Sequence, residues 1–207
     1  MIAKNSINTI IFDLGGVLVD WSPKYVFDEN YFESIEKRDF FLATICTLDW
    51  NEQQDAGYLI TKAVDEKITA FPEWEKDIRV YYDRWPDMLK GPIKETVDIF
   101  RRLKKNTNLK LYALTNWSAE LFPLALERFD FLNWFDGLMV SGEEKTRKPF
   151  PEIYQRLLDR YSINASEAIF IDDNFRNVTA AENSGIASIH FKNAVSLEKK
   201  LIELQVI

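Results

Sequence analysis

Three short apolar runs constrain this chain more than any other feature: Thr9–Phe12 (TIIF), Lys110–Thr115 (KLYALT) and Ala168–Ile171 (AIFI). Each is too short for a stable helix and too continuously apolar for a strand with one wet face. Each therefore reads as a parallel strand buried on both sides. Phe135–Ser141, with Gly137 inside it, and Ala187–Phe191 are weaker strands of the same kind. Helical patterns stand between them. Ile93, Val97, Phe100 and Leu103 follow Pro92 in a first turn, and Leu121, Leu124 and Ala125 follow a Ser118 cap. Tyr154, Leu157, Leu158 and Tyr161 follow Pro149 and Pro151, a short helix closes at Gly185, and Leu197–Leu204 forms the last helix. Strand–helix alternation implies right-handed crossovers and helices on both faces of one sheet. The expected fold is α/β, with a doubly wound, Rossmann-like parallel sheet.

The alternation is interrupted once. Between Trp21 and Lys90 the spacing predicts helices only. Ser34 caps one with Ile35, Phe41, Leu42 and Ile45 on its face; a polar turn spans Asp49–Gly57; Ile60, Val64 and Ile68 mark a second helix. Trp74, Ile78, Tyr81, Trp85 and Met88 mark a third. The expected organisation is a core of residues 1–20 and 91–207, with residues 21–90 inserted as an α-helical cap.

Composition narrows the class of function. With 46% hydrophobic and 29% charged residues, the chain can pack a core and is not expected to be disordered. A net charge of −7 argues against a nucleic-acid backbone as partner. Any anionic ligand must then be held by local devices: a metal, one or two cations, or backbone amides. The one basic cluster, Arg101, Arg102, Lys104 and Lys105, lies at a helix C-terminus, where cations complement the dipole. A single cysteine, Cys46, excludes an intrachain disulfide and fits a reducing compartment. No apolar run reaches membrane-span length, and MIAKNSINTI lacks a secretory apolar segment and is expected to enter the first strand directly. The protein is expected to be cytoplasmic, a monomer or weak homo-oligomer, and to touch neither nucleic acid nor membrane.

Polar residues end the strands. Asp13 ends the first and is followed by Gly15 and Gly16, which allow a sharp turn and close backbone approach. Thr115 and Asn116 end the second, and Asp172 and Asp173 the third. Lys148 precedes a helix. In a parallel sheet these points share the carboxyl edge, so the groups converge on one crevice.

With the residues in this order the chain resembles the haloacid dehalogenase superfamily, mostly phosphatases. DLGGVLVD is similar to the first motif, TNWS to the second, Lys148 of RKPFPEIY to the third and IDDN to the fourth. The resemblance implies a cap placed after the first motif and a Mg²⁺-dependent phosphatase acting on a small phosphorylated metabolite, a sugar phosphate or similar. In that reading Asp13 is the nucleophile that forms an aspartyl-phosphate. Thr115 and Asn116 bind the phosphoryl group, Lys148 neutralises it, and the amides of Leu14 and Gly15 form a small anion nest. Mg²⁺ is held by Asp13, the Gly15 carbonyl and Asp172 or Asp173.

One position departs from the pattern. Most phosphatases of the family carry a second aspartate two residues after the nucleophile, as general acid and base; here that residue is Gly15. An acid-less site favours aryl or anomeric phosphates, which leave as anions, over phosphates of primary alcohols. The competing expectation is that Asp20, or another acid from the cap side, supplies the proton. A 2-haloacid dehalogenase, which also lacks the second aspartate, is the alternative enzyme. The Asp172–Asp173 pair weighs against it, because displacing halide needs no metal. A non-catalytic binding protein is the third alternative. Trp21, Trp50 and Trp117 are candidates to line a pocket between cap and core, with Trp21 and Trp117 the expected substrate contacts. His190 is expected to be a packed or hydrogen-bonded residue, and Cys46 a core residue.

Overall fold

The structure, a computed structural model, describes residues 7–207; the expected course of Met1–Ser6 into the first strand lies outside the described residues. Seven strands form two sheets. β1 (Thr9–Phe12), β4 (Lys110–Thr115), β5 (Gly137–Val140), β6 (Ala168–Asp172) and β7 (Ala187–His190) make a parallel sheet in the order β5-β4-β1-β6-β7. The chain winds outward from β1 to β5, then crosses back to β6. The winding direction therefore reverses between β1 and β6, the place where such sheets open a crevice.

Period-two alternation explains why the strands are apolar throughout. Ile10, Phe12, Leu111, Ala113, Ile169 and Ile171 face one cluster. It is closed by α5 (Lys94–Lys104), α6 (Phe122–Arg128) and α10 (Ala194–Glu203). Ile11, Tyr112, Leu114, Ala168 and Phe170 face the other, under α8 (Pro151–Tyr161) and α9 (Phe175–Asn183). Burial of both faces requires this continuous hydrophobicity.

Four helices separate β1 from α5: α1 (Ile35–Phe40), α2 (Leu48–Asp55), α3 (Ile60–Ala70) and α4 (Glu75–Asp83). An aromatic cluster joins them, with Phe27 4.9 Å from both the Tyr31 and Phe41 rings and Trp50 5.4 Å from Tyr81. Ser34 caps α1 as expected, and α1 runs into a π-helical turn at Phe41–Ile45. Three local expectations are corrected. The predicted polar turn at Asp49–Gly57 is mostly α2, capped by Thr47. Its buried residues include Asn51 and Gln54, so it has no apolar stripe to betray it. The third predicted helix breaks at Pro86, where Trp85–Met88 forms a 3₁₀ turn. The segment also has strand at both junctions: β2 (Val19–Trp21) pairs antiparallel with β3 (Leu89–Pro92). Pro92 therefore ends a strand and α5 starts at Lys94.

Two further starts differ. Ser118 does not cap α6; it forms a turn that accepts the Glu120 amide, and the helix begins at Phe122 with Pro123 in its first turn. The strand expected over Phe135–Ser141 is confined to β5, and α7 (Ser141–Glu144) follows at once. Among the described residues no helix is long and apolar enough to cross a membrane.

Candidate active site

Asp13 and Asp172 stand side by side because β1 and β6 are paired in register. Phe12 is level with Ile171, and the Asp13 amide donates to the Ile171 carbonyl at 2.8 Å. Lys148 bridges them. Its ammonium, completely buried, lies 2.8 Å from Asp13 Oδ1 and 2.7 Å from Asp172 Oδ2. Burial works against the charge on Lys148, but the two carboxylates outweigh it and hold its pKa above the usual lysine range.

Asp173 completes a carboxylate trio. One oxygen from each of Asp13, Asp172 and Asp173 lies within 4.8 Å of the others. One ammonium does not balance three acids. The Asp13 pKa is accordingly raised well above the usual value, by burial first and then by Asp172 and Asp173, against the pull of Lys148. Asp173 is raised as well, by burial and by Asp172. This is a set of hard oxygen donors with excess negative charge, and it fits a divalent cation of the magnesium type. No hydrogen bond among the described residues ends on the Gly15 carbonyl, which the family resemblance assigns to the same set. Gly16 has φ +72°, a conformation that favours glycine, and a Cβ there would collide with the Asp173 carboxylate and displace it.

The groups expected to bind phosphate divide. Thr115 is buried at the end of β4 and its hydroxyl has no partner among the described residues. Asn116 is committed elsewhere: its Oδ1 accepts the Lys148 amide at 2.9 Å, and its Nδ2 donates to the Lys148 carbonyl at 3.0 Å. It clamps the backbone that carries the buried ammonium. The Leu14 amide is also taken, donating to Asp13 Oδ1 at 2.7 Å, as a buried carboxylate requires. The Gly15 amide, by contrast, donates no hydrogen bond among the described residues.

Beside this edge lies a cavity of about 70 Å³. Trp21 and Trp117 line it, and its third aromatic wall is Trp85 rather than Trp50. Trp50 packs inside the helical segment against Tyr81 and Tyr82. The Trp21 and Trp117 indole N–H groups have no partner among the described residues. Gly15 and Asn116 line the cavity from the sheet side, and Asn51 and Asp55 from α2.

The described geometry has counterparts among known proteins. The model of the haloacid dehalogenase-like hydrolase family matches residues 7–185. The chain belongs to that family. It is 28% identical to a sesquiterpene phosphatase of Aspergillus oryzae over 94% of each chain. Its fold matches a haloacid dehalogenase family enzyme of Bacteroides thetaiotaomicron, solved with magnesium and inorganic phosphate, with a TM-score of 0.68. That match has 24% identity and covers 90% of this chain and 95% of that one. An L-2-haloacid dehalogenase of Xanthobacter autotrophicus also matches, with TM-score 0.61 and 15% identity over 97% of this chain and 84% of that one. The fold is thus common to enzymes of both names.

Several site residues of this hydrolase escaped the sequence reading. Asn177, one turn into α9, donates to both Asp172 oxygens at 3.1 Å and orients them. Glu52 of α2 meets Arg147 at 2.9 Å and Arg176 at 2.6 Å, tying α2 to the loop that carries Lys148 and to the first turn of α9. Its carboxylate is largely buried, as is Arg147, so that pair escapes most solvent screening, whereas Arg176 is exposed and its pair is screened. Glu52→Gln is expected to cost about 1–3 kcal/mol of stability and to speed hydrogen exchange in α2 more than in the sheet. Unchanged exchange in α2 would mean the two pairs do not hold it.

His190 is hydrogen-bonded, with Nε2 2.9 Å from the Asp173 carbonyl, and Cys46 is buried, as expected. Asp20 accepts the Tyr25 hydroxyl at 2.8 Å and does not line the cavity.

Proposed function

We propose that this hydrolase is a Mg²⁺-dependent phosphatase that cleaves a small phosphorylated metabolite through an aspartyl-phosphate on Asp13. The carboxylate trio around one buried lysine carries the reading. Displacement of halide from carbon needs one carboxylate nucleophile, whereas three acids on one edge suit a divalent cation and a phosphoryl group. Asp13, Asp172, Asp173 and the Gly15 carbonyl would hold the cation. When bound, it offsets the repulsion between the nucleophile and the phosphoryl oxygens.

The protein's own groups supply the rest. Asp13 attacks phosphorus, and Lys148 keeps it aimed while balancing charge. The Thr115 hydroxyl and the Gly15 amide, which have no partner among the described residues, donate to phosphoryl oxygens in this reading. Asn116 acts by fixing the Lys148 backbone. Residues 21–90 act as a cap that closes over the reacting centre and keeps water from the acyl phosphate. Trp21, Trp85 and Trp117 offer apolar walls to the leaving group, suited to a hydrocarbon chain or the flat face of a sugar ring. The similarity to a sesquiterpene phosphatase supports phosphate monoesters as the substrate class.

Phosphate release from a panel of phosphomonoesters, assayed beside chloride release from 2-chloropropionate, tests the reading. Phosphate release that needs Mg²⁺ and stops in excess chelator is the expected result. Chloride release, or neither, overturns it. Binding has its own readout. Mg²⁺ is expected to raise the melting temperature, and more at pH 8 than at pH 5. The sign follows from Asp13: with its folded pKa raised, ionisation penalises the fold as pH climbs from about 3.8, and a cation relieves that penalty. Asp173→Ala should weaken the Mg²⁺-dependent shift.

A further inference from the structure

The position where most family phosphatases carry their second aspartate is not merely vacant of a carboxyl; it opens onto space. A Cβ built on Gly15 meets no heavy atom within 4 Å, and Gly15 lines the tryptophan-walled cavity. Across that cavity stands an acid from another part of the chain. Asp55 is the last residue of α2 and lines the same cavity.

Its placement is built rather than incidental. Asp55 Oδ2 accepts the Asn51 amide at 3.1 Å, and Asn51 Oδ1 in turn accepts the Tyr82 hydroxyl at 3.2 Å. The Asp55 carbonyl accepts the hydroxyl of buried Ser141, which also accepts the Trp117 amide. The backbone of Asp55 is therefore fixed against the segments that follow β4 and β5, and its carboxyl is held by Asn51. None of these partners belongs to the metal-binding set.

We propose that Asp55 is the proton donor and acceptor of the reaction, a catalytic carboxyl delivered by the helical insertion in place of one at position 15. The proposal rests on the aspartyl-phosphate reading above. In the first half-reaction the bond from Asp13 to phosphorus forms as the bond from phosphorus to the leaving oxygen breaks. That oxygen takes the Asp55 proton and departs as an alcohol. In the second half-reaction Asp55, now a carboxylate, takes a proton from the attacking water. The water oxygen bonds to phosphorus, the Asp13–phosphorus bond breaks, inorganic phosphate leaves and the Asp55 carboxyl is restored.

The environment supports this cycle. Burial, then the charge of Glu52, push the Asp55 pKa up to about 7, against Arg147, the Ser118 amide and Lys148. The groups facing it are Glu52 on its own helix, Tyr81 and Tyr82 on α4, and Arg147 and Lys148 before α8. Burial raises both tyrosines far above neutrality, so they stay uncharged. A carboxyl near pH 7 exchanges its proton in both directions at little cost.

The test compares an alkyl phosphate, whose leaving group needs a proton, with 4-nitrophenyl phosphate, whose leaving group does not. Both are run with excess MgCl₂. In the wild type, kcat/KM for the alkyl ester should fall as pH rises through about 7 while that for the aryl ester does not; parallel profiles overturn the proposal without any variant. Asp55→Asn, nearly isosteric, should lose about 10²–10⁴-fold on the alkyl ester. With the aryl ester it should release a burst of nitrophenolate followed by slow turnover, because the water then lacks its base. Equal losses on both esters with no burst would make Asp55 a structural residue and overturn the proposal. Failure of the underlying reading has a different signature: no acid-trappable phosphoenzyme in the wild type, and turnover surviving Asp13→Asn, would remove both.

Discussion

Asp13→Asn is expected to remove turnover by about 10⁴-fold or more, the scale seen when a nucleophile is deleted, and to make the protein more stable. The loss follows because a carboxamide carries no charge with which to attack phosphorus. The gain follows from the surroundings of Asp13. Burial and two neighbouring carboxylates raise its pKa despite Lys148, so in the folded state the ionised form is penalised. Between about pH 3.8 and its raised value the native protein binds more protons than the unfolded chain, and stability falls as pH rises. Asparagine removes that slope. The variant should therefore show a higher melting temperature than the metal-free wild type at pH 8, and a smaller difference near pH 4. Its Oδ1 can still accept from Lys148 and from the Leu14 amide, so the fold should survive. Retained turnover with a normal circular dichroism spectrum would rule Asp13 out as nucleophile. Lower stability at pH 8 would mean that the Lys148 pair outweighs the burial of the charge.

Lys148→Met should act in the opposite direction on stability. The substitution leaves Asp13 and Asp172 buried without the ammonium that lies within 2.8 Å of both. Removing one partner from a buried pair costs about 3–5 kcal/mol, because the remaining charge is uncompensated. Here that charge is a carboxylate, so the deficit should shrink as pH falls and the acids take up protons. Urea unfolding at pH 8 and pH 5 measures it, with the larger loss expected at pH 8. A loss of equal size at both values would mean that lost packing, for instance against the Phe170 ring 5.4 Å away, outweighs electrostatics. Activity should disappear at both.

These variants behave differently because the site was assembled by register, not by proximity in sequence. β1 lies between β4 and β6, so Asp13, Thr115 and Asp172 reach one edge although Thr115 lies 102 and Asp172 159 residues beyond Asp13. That convergence was legible beforehand. Buried parallel strands must be apolar throughout, so the polar residue at the end of each run is conspicuous. Lys148 was legible through its place before a helix at the same sheet edge and through the third family motif, but its complete burial was not.

Other parts were not legible, and the reasons are specific. α2 hides because its inward face carries Asn51 and Gln54, whose burial is made affordable by the Tyr82 hydroxyl, 31 and 28 residues away. The β2–β3 ribbon hides because it is short, bulged and contains Gly91 and Pro92. Asn116 sits in the expected motif, yet its amide turns to the Lys148 backbone, a choice that depends on where another loop lies.

The sequence alone therefore determined the sheet, the interruption by helices and the acids and lysine of the crevice. All of these follow from hydrophobic period and chain order, which are local. The tertiary structure decided which donors are already spent, how α2 is pinned through Glu52, and that Asp55 and Gly15 line one cavity. Those facts depend on pairings between residues far apart in the chain. Such pairings leave no periodic trace, since a single hydrogen bond or ion pair fixes one contact and requires nothing of its neighbours in sequence.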